Sequence, residues 1–132
     1  MELFNNPANE FVAGFLGSPK MNFFDGVLVS ANNDLGHFQG EEIDISGIRL
    51  VSADKTAGTA IRLGIRPQHL ILDPTGPLRG TVTLIEQLGT ETVLELVSSG
   101  ETQFRFASPE NLSVESGQQI AFRFEPQMAH LF

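Results

Sequence analysis

The stretch AIRLGIR, Ala60 to Arg66, shows the pattern on which most of this chain is built. Its large apolar residues occupy every second position, and small or charged residues stand between them. A period of two is typical of half-buried antiparallel strands. The same alternation returns in Ile43–Ile45, in Gln103–Phe106 and in Ile120–Phe124. The sequence therefore predicts a protein made mainly of strands.

Turn-forming residues separate these apolar segments. They are rich in Asn, Pro, Ser and Gly, and they occur at Asn32–Asp34, Pro74–Pro77, Ser98–Gly100 and Glu115–Gly117. The spacing of these turns predicts about eight short strands, one every ~8–12 residues. The expected fold class is all-β, as a small antiparallel barrel or sandwich.

One helix is expected, near the N-terminus. Asn6 is a candidate N-cap and Pro7 suits the first helical position, where its missing N–H costs nothing. Phe11 and Phe15 are four residues apart and therefore share one side of the predicted helix. Gly17, with a proline two residues later, ends the pattern. The sequence predicts a short amphipathic helix whose apolar face needs a packing partner.

Composition and charge exclude several functional classes. The chain has 132 residues, a net charge of −8 and only eight Lys and Arg residues, so we expect no nucleic-acid partner. It contains no Trp or Tyr, which removes two side chains that stack well on bases. The absence of Cys excludes disulfides and thiolate metal sites, and it favours a cytoplasmic protein.

The residues that could support chemistry form no catalytic pattern. No phosphate-binding G-x-x-x-x-G-K-[ST] loop is present, and no G-x-S-x-G motif surrounds a serine. His37, His69 and His130 are far apart in sequence and lack the spacing of metal ligands. Glu41, Glu42 and Asp44 form the densest acidic group, which we interpret as a solvated surface. We therefore expect no catalytic, metal-binding or cofactor-binding residues in this chain.

Four segments, in order along the chain, resemble one protein family. Pro7–Phe23 resembles the junction between the nucleotide-binding domain and the C-terminal regulatory domain of sugar-importer ABC ATPases of the MalK/UgpC type. Leu63–Leu70 resembles the central motif of that regulatory domain, with Gln68 where the family usually has Glu. Val82–Thr92 resembles its next strand pair, and Phe124–Phe132 resembles its closing strand.

This resemblance implies a domain organisation and a function. Residues 1–20 would be a helical junction to a nucleotide-binding domain, and residues 21–132 a TOBE-type, OB-like antiparallel β-barrel. Such a domain is a non-catalytic regulatory and dimerisation part of an ATP-binding subunit that energises import of a sugar or similar solute. ATP and Mg²⁺ would bind to the nucleotide-binding domain, and this segment would need no cofactor.

The resemblance also implies partners and a location. The expected partners are a second copy through the barrel, the nucleotide-binding domain of the same protein, and a possible regulator protein. Membrane permease subunits would be contacted indirectly, which places the protein on the cytoplasmic side of the inner membrane.

Candidate regulatory or interface residues follow from the same motifs. They are Phe23, Gly64, Gly80 and Glu86, and the face of the predicted junction carries Phe11 and Phe15. Each has a structural alternative: Phe23 as a packing residue, the two glycines as positions fixed by backbone geometry, and Glu86 as the partner of Arg66 in an ordinary salt bridge.

A second function remains open at the level of sequence. Related OB-type domains hold small oxyanions through backbone N–H groups and small residues, so this chain is alternatively a small-oxyanion-binding domain of an ABC importer. Arg79–Thr81 and Ser98–Gly100 are the segments available for such a role.

Overall fold

The computed structural model describes residues 21–52 and 55–132. The predicted N-terminal helix, with Phe11 and Phe15, lies outside these residues. The described residues form strands and two short 3₁₀ helices, Pro67–His69 and Pro126–Met128. The all-β prediction is therefore confirmed.

The described part of the chain contains ten strands. They are β1 (Asn22–Asn32), β2 (Leu35–Gly40), β3 (Asp44–Leu50), β4 (Ala60–Ile65), β5 (Ile71–Leu72), β6 (Leu78–Leu88), β7 (Glu91–Ser98), β8 (Gln103–Ser108), β9 (Gln119–Arg123) and β10 (His130–Leu131). The sequence predicts about eight. β5 and β10 have two residues each, which is too short for a periodic pattern.

The strands belong to two compact units. The first contains the described residues up to Arg66 together with Glu125–Phe132, and the second contains Pro67–Phe124.

The first unit is a closed barrel with the strand order β1-β2-β3-β10-β4. The short C-terminal strand β10 closes it, parallel to β3 and antiparallel to β4. A two-residue turn joins β1 to β2, and its Asn33 adopts a left-handed backbone with φ 59°. The core contains side chains with no exposed surface, among them Leu28, Phe38 and Leu63.

The second unit is a five-stranded sheet with the order β5-β9-β6-β7-β8. One face buries alternate residues of each long strand, as the period of two predicts. Phe122 lies at the centre of this core, with ring centroids 5.8 Å from Phe104 and 4.9 Å from Phe106.

Strand β9 lies between β5 and β6, although β5 and β6 are consecutive in sequence. The connection Asp73–Pro77 must therefore cross β9. At Gly76 it passes so close that a Cβ atom would lie 2.1 Å from the carbonyl oxygen of Phe122. Glycine is required here because no side chain fits between the two backbones.

Candidate functional site

The barrel brings two of the predicted site residues together. Phe23 on β1 and Gly64 on β4 are directly opposite in the antiparallel register. The half-buried Phe23 ring contacts the ring of Phe132 edge-on, with centroids 5.7 Å apart and planes at 74°. This edge-to-face geometry is a favourable arrangement for two aromatic rings.

Packing explains why position 64 is a glycine. A Cβ atom at Gly64 would lie 2.5 Å from the sulfur of Met21 and 2.7 Å from a ring carbon of Phe132. It would also lie 3.2 Å from a ring carbon of Phe23. The missing side chain therefore leaves the space into which these three side chains pack.

A cation completes this group of residues. The guanidinium carbon of Arg62 lies 5.8 Å from the centroid of the Phe23 ring, which is within range of a cation–π interaction. Arg62 Nε also donates a hydrogen bond to Asp25 Oδ1 at 3.0 Å. We call Phe23, Arg62, Gly64 and Phe132 the aromatic cluster.

The aromatic cluster contains two residues that the sequence reasoning missed. Arg62 appeared only as a polar position in an alternating strand, and Phe132 only as part of the closing segment. The strand registers connect them, since the backbone N–H of Phe132 donates to the carbonyl of Arg62 at 2.9 Å. No sequence pattern signals this long-range contact.

The other two predicted residues lie on β6, in the second unit. Gly80 is buried, and a Cβ atom there would lie 2.7 Å from the ring of Phe104, so its glycine is also explained by packing. Glu86 is exposed and lies opposite Val93 on β7. A regulatory role for Phe23, Gly64, Gly80 or Glu86 stays a prediction.

One carboxylate has a distinctive electrostatic environment. Asp73 Oδ1 accepts hydrogen bonds from the backbone N–H of Thr75 at 2.9 Å and from its hydroxyl at 2.8 Å. Asp73 Oδ2 lies 3.3 Å from Arg123 Nε. The bonds from Thr75, supported by the charge of Arg123, hold the pKa of Asp73 below its usual value. These contacts stabilise the turn that crosses β9.

One further polar contact of the described residues joins two strands of the barrel. His37 on β2 pairs with Asp44 on β3, at an exposed position. Within residues 21–52 and 55–132, no three His, Asp or Glu side chains form a group suited to a metal ion. No helix within these described residues has the length and apolarity that crossing a bilayer requires.

Two family models match the chain. Residues 63–132 match the TOBE domain, and residues 17–70 match the MalK OB fold domain. The chain belongs to the TOBE domain family. The segment matched by the TOBE model runs from β4 to the residue after β10.

Curated relatives match this TOBE domain along its entire length. It is 37% identical to the sn-glycerol-3-phosphate import ATP-binding protein UgpC of a Ruegeria species over 133 residues. It is 33% identical to the maltose/maltodextrin import ATP-binding protein MalK of Photobacterium profundum over 135 residues. The match includes 100% of this chain but only 35% and 37% of those two proteins. The chain thus spans about a third of the length of its relatives.

A solved structure has a similar fold. The cytoplasmic molybdate-binding protein ModG aligns with a TM-score of 0.62, over 83% of this chain and 94% of its own. Sequence identity is 17%, so this likeness concerns the fold alone.

Proposed function

We propose that this TOBE domain is the non-catalytic regulatory and dimerisation part of an ABC importer ATP-binding subunit. The observation that carries the proposal is the match of the complete chain to about a third of UgpC and MalK import ATP-binding proteins. The parent protein would energise uptake of a sugar or similar solute. ATP and Mg²⁺ would bind to the remaining part of that protein, and none of the residues described above would act on them.

The partners follow from this assignment. Two copies would pair through their TOBE domains, and each would be joined to its own nucleotide-binding domain. Permease subunits would be reached through the nucleotide-binding domains, which places the complex at the cytoplasmic face of the inner membrane. A regulator protein would bind to the exposed surface of the TOBE domain.

Regulation through such a domain has a simple thermodynamic form. A partner that binds one arrangement of the two ATPase subunits more tightly than another shifts the population towards that arrangement. The half-buried Phe23 and Phe132 rings, beside the Arg62–Asp25 ion pair, provide an apolar surface with charged neighbours for such a contact.

The proposal is tested first with the genomic context and then with protein. An ATPase-encoding segment should lie in frame before this region, and the chain alone should not hydrolyse ATP. Light scattering should give twice the chain mass at high concentration. A strict monomer at high concentration would contradict the dimerisation role, and an ATP-hydrolysing chain would contradict the non-catalytic role.

The regulatory residues are tested in the parent protein. Phe23→Ser should leave basal ATP hydrolysis intact and reduce its response to substrate-loaded binding protein or to a regulator. Val29→Ser, on the exposed part of the same strand, is the matched control. An unchanged response in Phe23→Ser would remove the aromatic cluster from the regulatory surface.

At Ser98 and Gly80, two residues of the segments that suggested it, the structure gives the oxyanion-binding alternative no support. Ser98 is buried, and its hydroxyl already accepts a hydrogen bond from the N–H of Thr102 at 3.1 Å. The Phe104 ring occupies the space beside Gly80 into which a side chain would project. Calorimetry with molybdate, sulfate and phosphate should therefore show no saturable binding. Tight binding of any of them would favour the alternative.

A further inference from the structure

Strand β9 leaves part of its edge open. It pairs with β6 from Gln119 to Phe122, but with β5 only at Phe122 and Arg123. The N–H of Asp73 then donates to the carbonyl of Ala121 at 3.1 Å, and the chain turns away at Pro74. In the part of the chain that the structure describes, no strand accompanies Gln119 and Ile120 on this side.

The backbone groups of Gln119 face this open side. The N–H of Val82 on β6 bonds to the carbonyl of Gln118, whereas the carbonyl of Ala121 accepts from Asp73 on the other side. Because these orientations alternate along an antiparallel strand, Ile120 bonds towards β6 and Gln119 points away from it. Both hydrogen-bonding groups of Gln119 are thus oriented towards an approaching extended chain.

An apolar cavity lies on the core side of this edge. Its volume is about 330 Å³, and Leu72, Leu112, Val114 and Ile120 contribute apolar lining. Ile120 is opposite Gly80, so its side chain is on the face of the sheet that carries the buried residues. This volume is within the range of small binding pockets.

A more polar cavity lies at the same residues on the other face. It measures about 260 Å³ and is lined by Pro74, Arg79, Gln119, Ile120 and Ala121. Arg79 is opposite Ala121 and therefore on the solvent-facing side of β6. The small Ala121 side chain leaves the space between Arg79 and the open edge accessible.

Arg79 differs from its neighbour Arg123 in its electrostatic environment. Arg123 pairs with Asp73, which occupies the position opposite Ala121 on the line of β5. Arg79 is exposed and has no carboxylate partner among the described residues. The Asp73–Arg123 pair joins an acidic residue on this line to the adjacent strand β9, whereas Arg79 lies one strand further away, on β6.

We propose that this edge binds a short extended peptide of a partner protein, in which an apolar residue alternates with an acidic one. The peptide continues the line of β5, and its backbone bonds to Gln119. The residue opposite Ile120 points into the apolar cavity, since paired residues share a face. The next residue, opposite Gln119, points to the Arg79 side. That residue is in line with Thr81, two positions along β6 from Arg79, so its Cα lies about 12 Å from the Cα of Arg79, a distance that extended Glu and Arg side chains together span.

This inference concerns a surface that the importer role does not require. The peptide-binding proposal and the importer role can be disproved independently, because the peptide experiment measures neither dimerisation nor ATP hydrolysis.

The experiment is a titration of the complete ¹⁵N-labelled chain with the blocked peptide Val-Glu-Val-Glu, followed by amide chemical shifts. Saturable shifts centred on Gln119 and Ala121 are expected. The peptide Val-Lys-Val-Lys should bind at least about fivefold more weakly, since it places a cation beside Arg79. A Glu peptide with N-methylated amides should lose binding because it cannot pair with the strand edge.

Protein variants test the contribution of each cavity to peptide binding separately. Arg79→Gln should weaken binding of the Glu peptide about three- to fivefold, the size of an exposed ion pair, and remove the preference over the Lys peptide. Arg49→Gln, which removes the same charge from an exposed position on β3, is the matched control and should bind as the unaltered chain does. Leu72→Asp should weaken both peptides, because it places a charge beside the apolar cavity.

Several outcomes would overturn the proposal. They are the absence of saturable shifts, shifts centred on other strands, and equal binding of the N-methylated peptide. Shifts of Gln119 that depend on protein concentration without any peptide would also overturn it, because they would assign the edge to a second copy of the chain.

Discussion

The closed barrel and the open sheet differ in whether every strand has a neighbouring strand on both sides. In the barrel each strand has a neighbour on both sides, whereas the sheet ends at β5 on one side and at β8 on the other. Closure removes the unpaired edges that attract other chains. The closing strand β10 pairs with β3 only at Arg49 and Leu50. The barrel presents side chains such as the aromatic cluster, while the sheet presents backbone groups at the end of β9.

The two regions nevertheless solve core packing with the same device. In the barrel the Phe38 ring fills the space that side chains at Gly26 and Gly40 would occupy. In the sheet the Phe104 ring does so at Gly80. A large ring placed against a glycine keeps the core dense without widening the sheet.

The largest expected effect comes from removing a central ring of either core. Phe38→Ala in the barrel and Phe122→Ala in the sheet should each lower the free energy of unfolding by about 3–5 kcal/mol, since both side chains are fully buried. Urea denaturation measures this change. Val29→Ala, at a residue 42% exposed, should cost much less. If the free energy of unfolding fell by only a small amount in one of the two Phe variants, the two cores would not depend equally on their central ring.

The next effect distinguishes the glycines of the two regions. A Cβ atom at Gly26 would lie 2.6 Å from the backbone oxygen of Gln39, whereas the three atoms nearest a Cβ at Gly80 belong to the side chains of Phe104 and Leu96. Gly26→Ala should therefore cost more than Gly80→Ala, within the ~1–3 kcal/mol typical of overpacking, because a backbone cannot move as easily as a ring. Thermal unfolding measures both, with Ser30→Ala as the exposed control. The reverse order would show that the Phe104 ring has no room to shift.

A pH-dependent effect belongs to the open sheet. The folded-state pKa of Asp73 lies below the ordinary value of 3.8, so the folded state favours the ionised carboxylate. Its stabilisation is fully present above pH 3.8 and is lost as the pH falls through the lower folded-state pKa. Asp73→Asn should therefore be less stable than the unaltered chain at neutral pH, and the two should converge in acid. Asp25→Asn serves as the comparison on the barrel, and a constant difference for Asp73→Asn at all pH values would contradict this account.

The smallest effects concern the exposed ion pairs. Asp25 pairs with Arg62 on the barrel and is 85% exposed, whereas Glu95 pairs with Arg105 on the sheet and is 33% exposed. Glu95→Gln should cost more than Asp25→Asn, with both below about 1 kcal/mol. Denaturation at low and high salt measures the difference, which should shrink as salt screens the charges. A larger cost for Asp25→Asn would mean that the pair supports Arg62 over the Phe23 ring.

The sequence by itself determined which residues are buried in most strands. The alternation in β4 predicted that Ile61, Leu63 and Ile65 would be buried, and all three are. The turn at Asn32–Asp34 was likewise predictable, since asparagine tolerates the left-handed backbone found at position 33. These are local properties, because the facing of a side chain depends only on its position within a strand.

Only the tertiary structure decided which strands meet. The placement of β9 between β5 and β6, the closure of the barrel by β10 and the pairing of Phe23 with Gly64 join residues far apart in sequence. The aromatic cluster and the open edge at Gln119 depend on these pairings. An alternation with a period of two indicates which face of the sheet each side chain is on, but it does not indicate which strand lies beside it. Strand partners are selected by the collective packing of the core and by the loops that connect it.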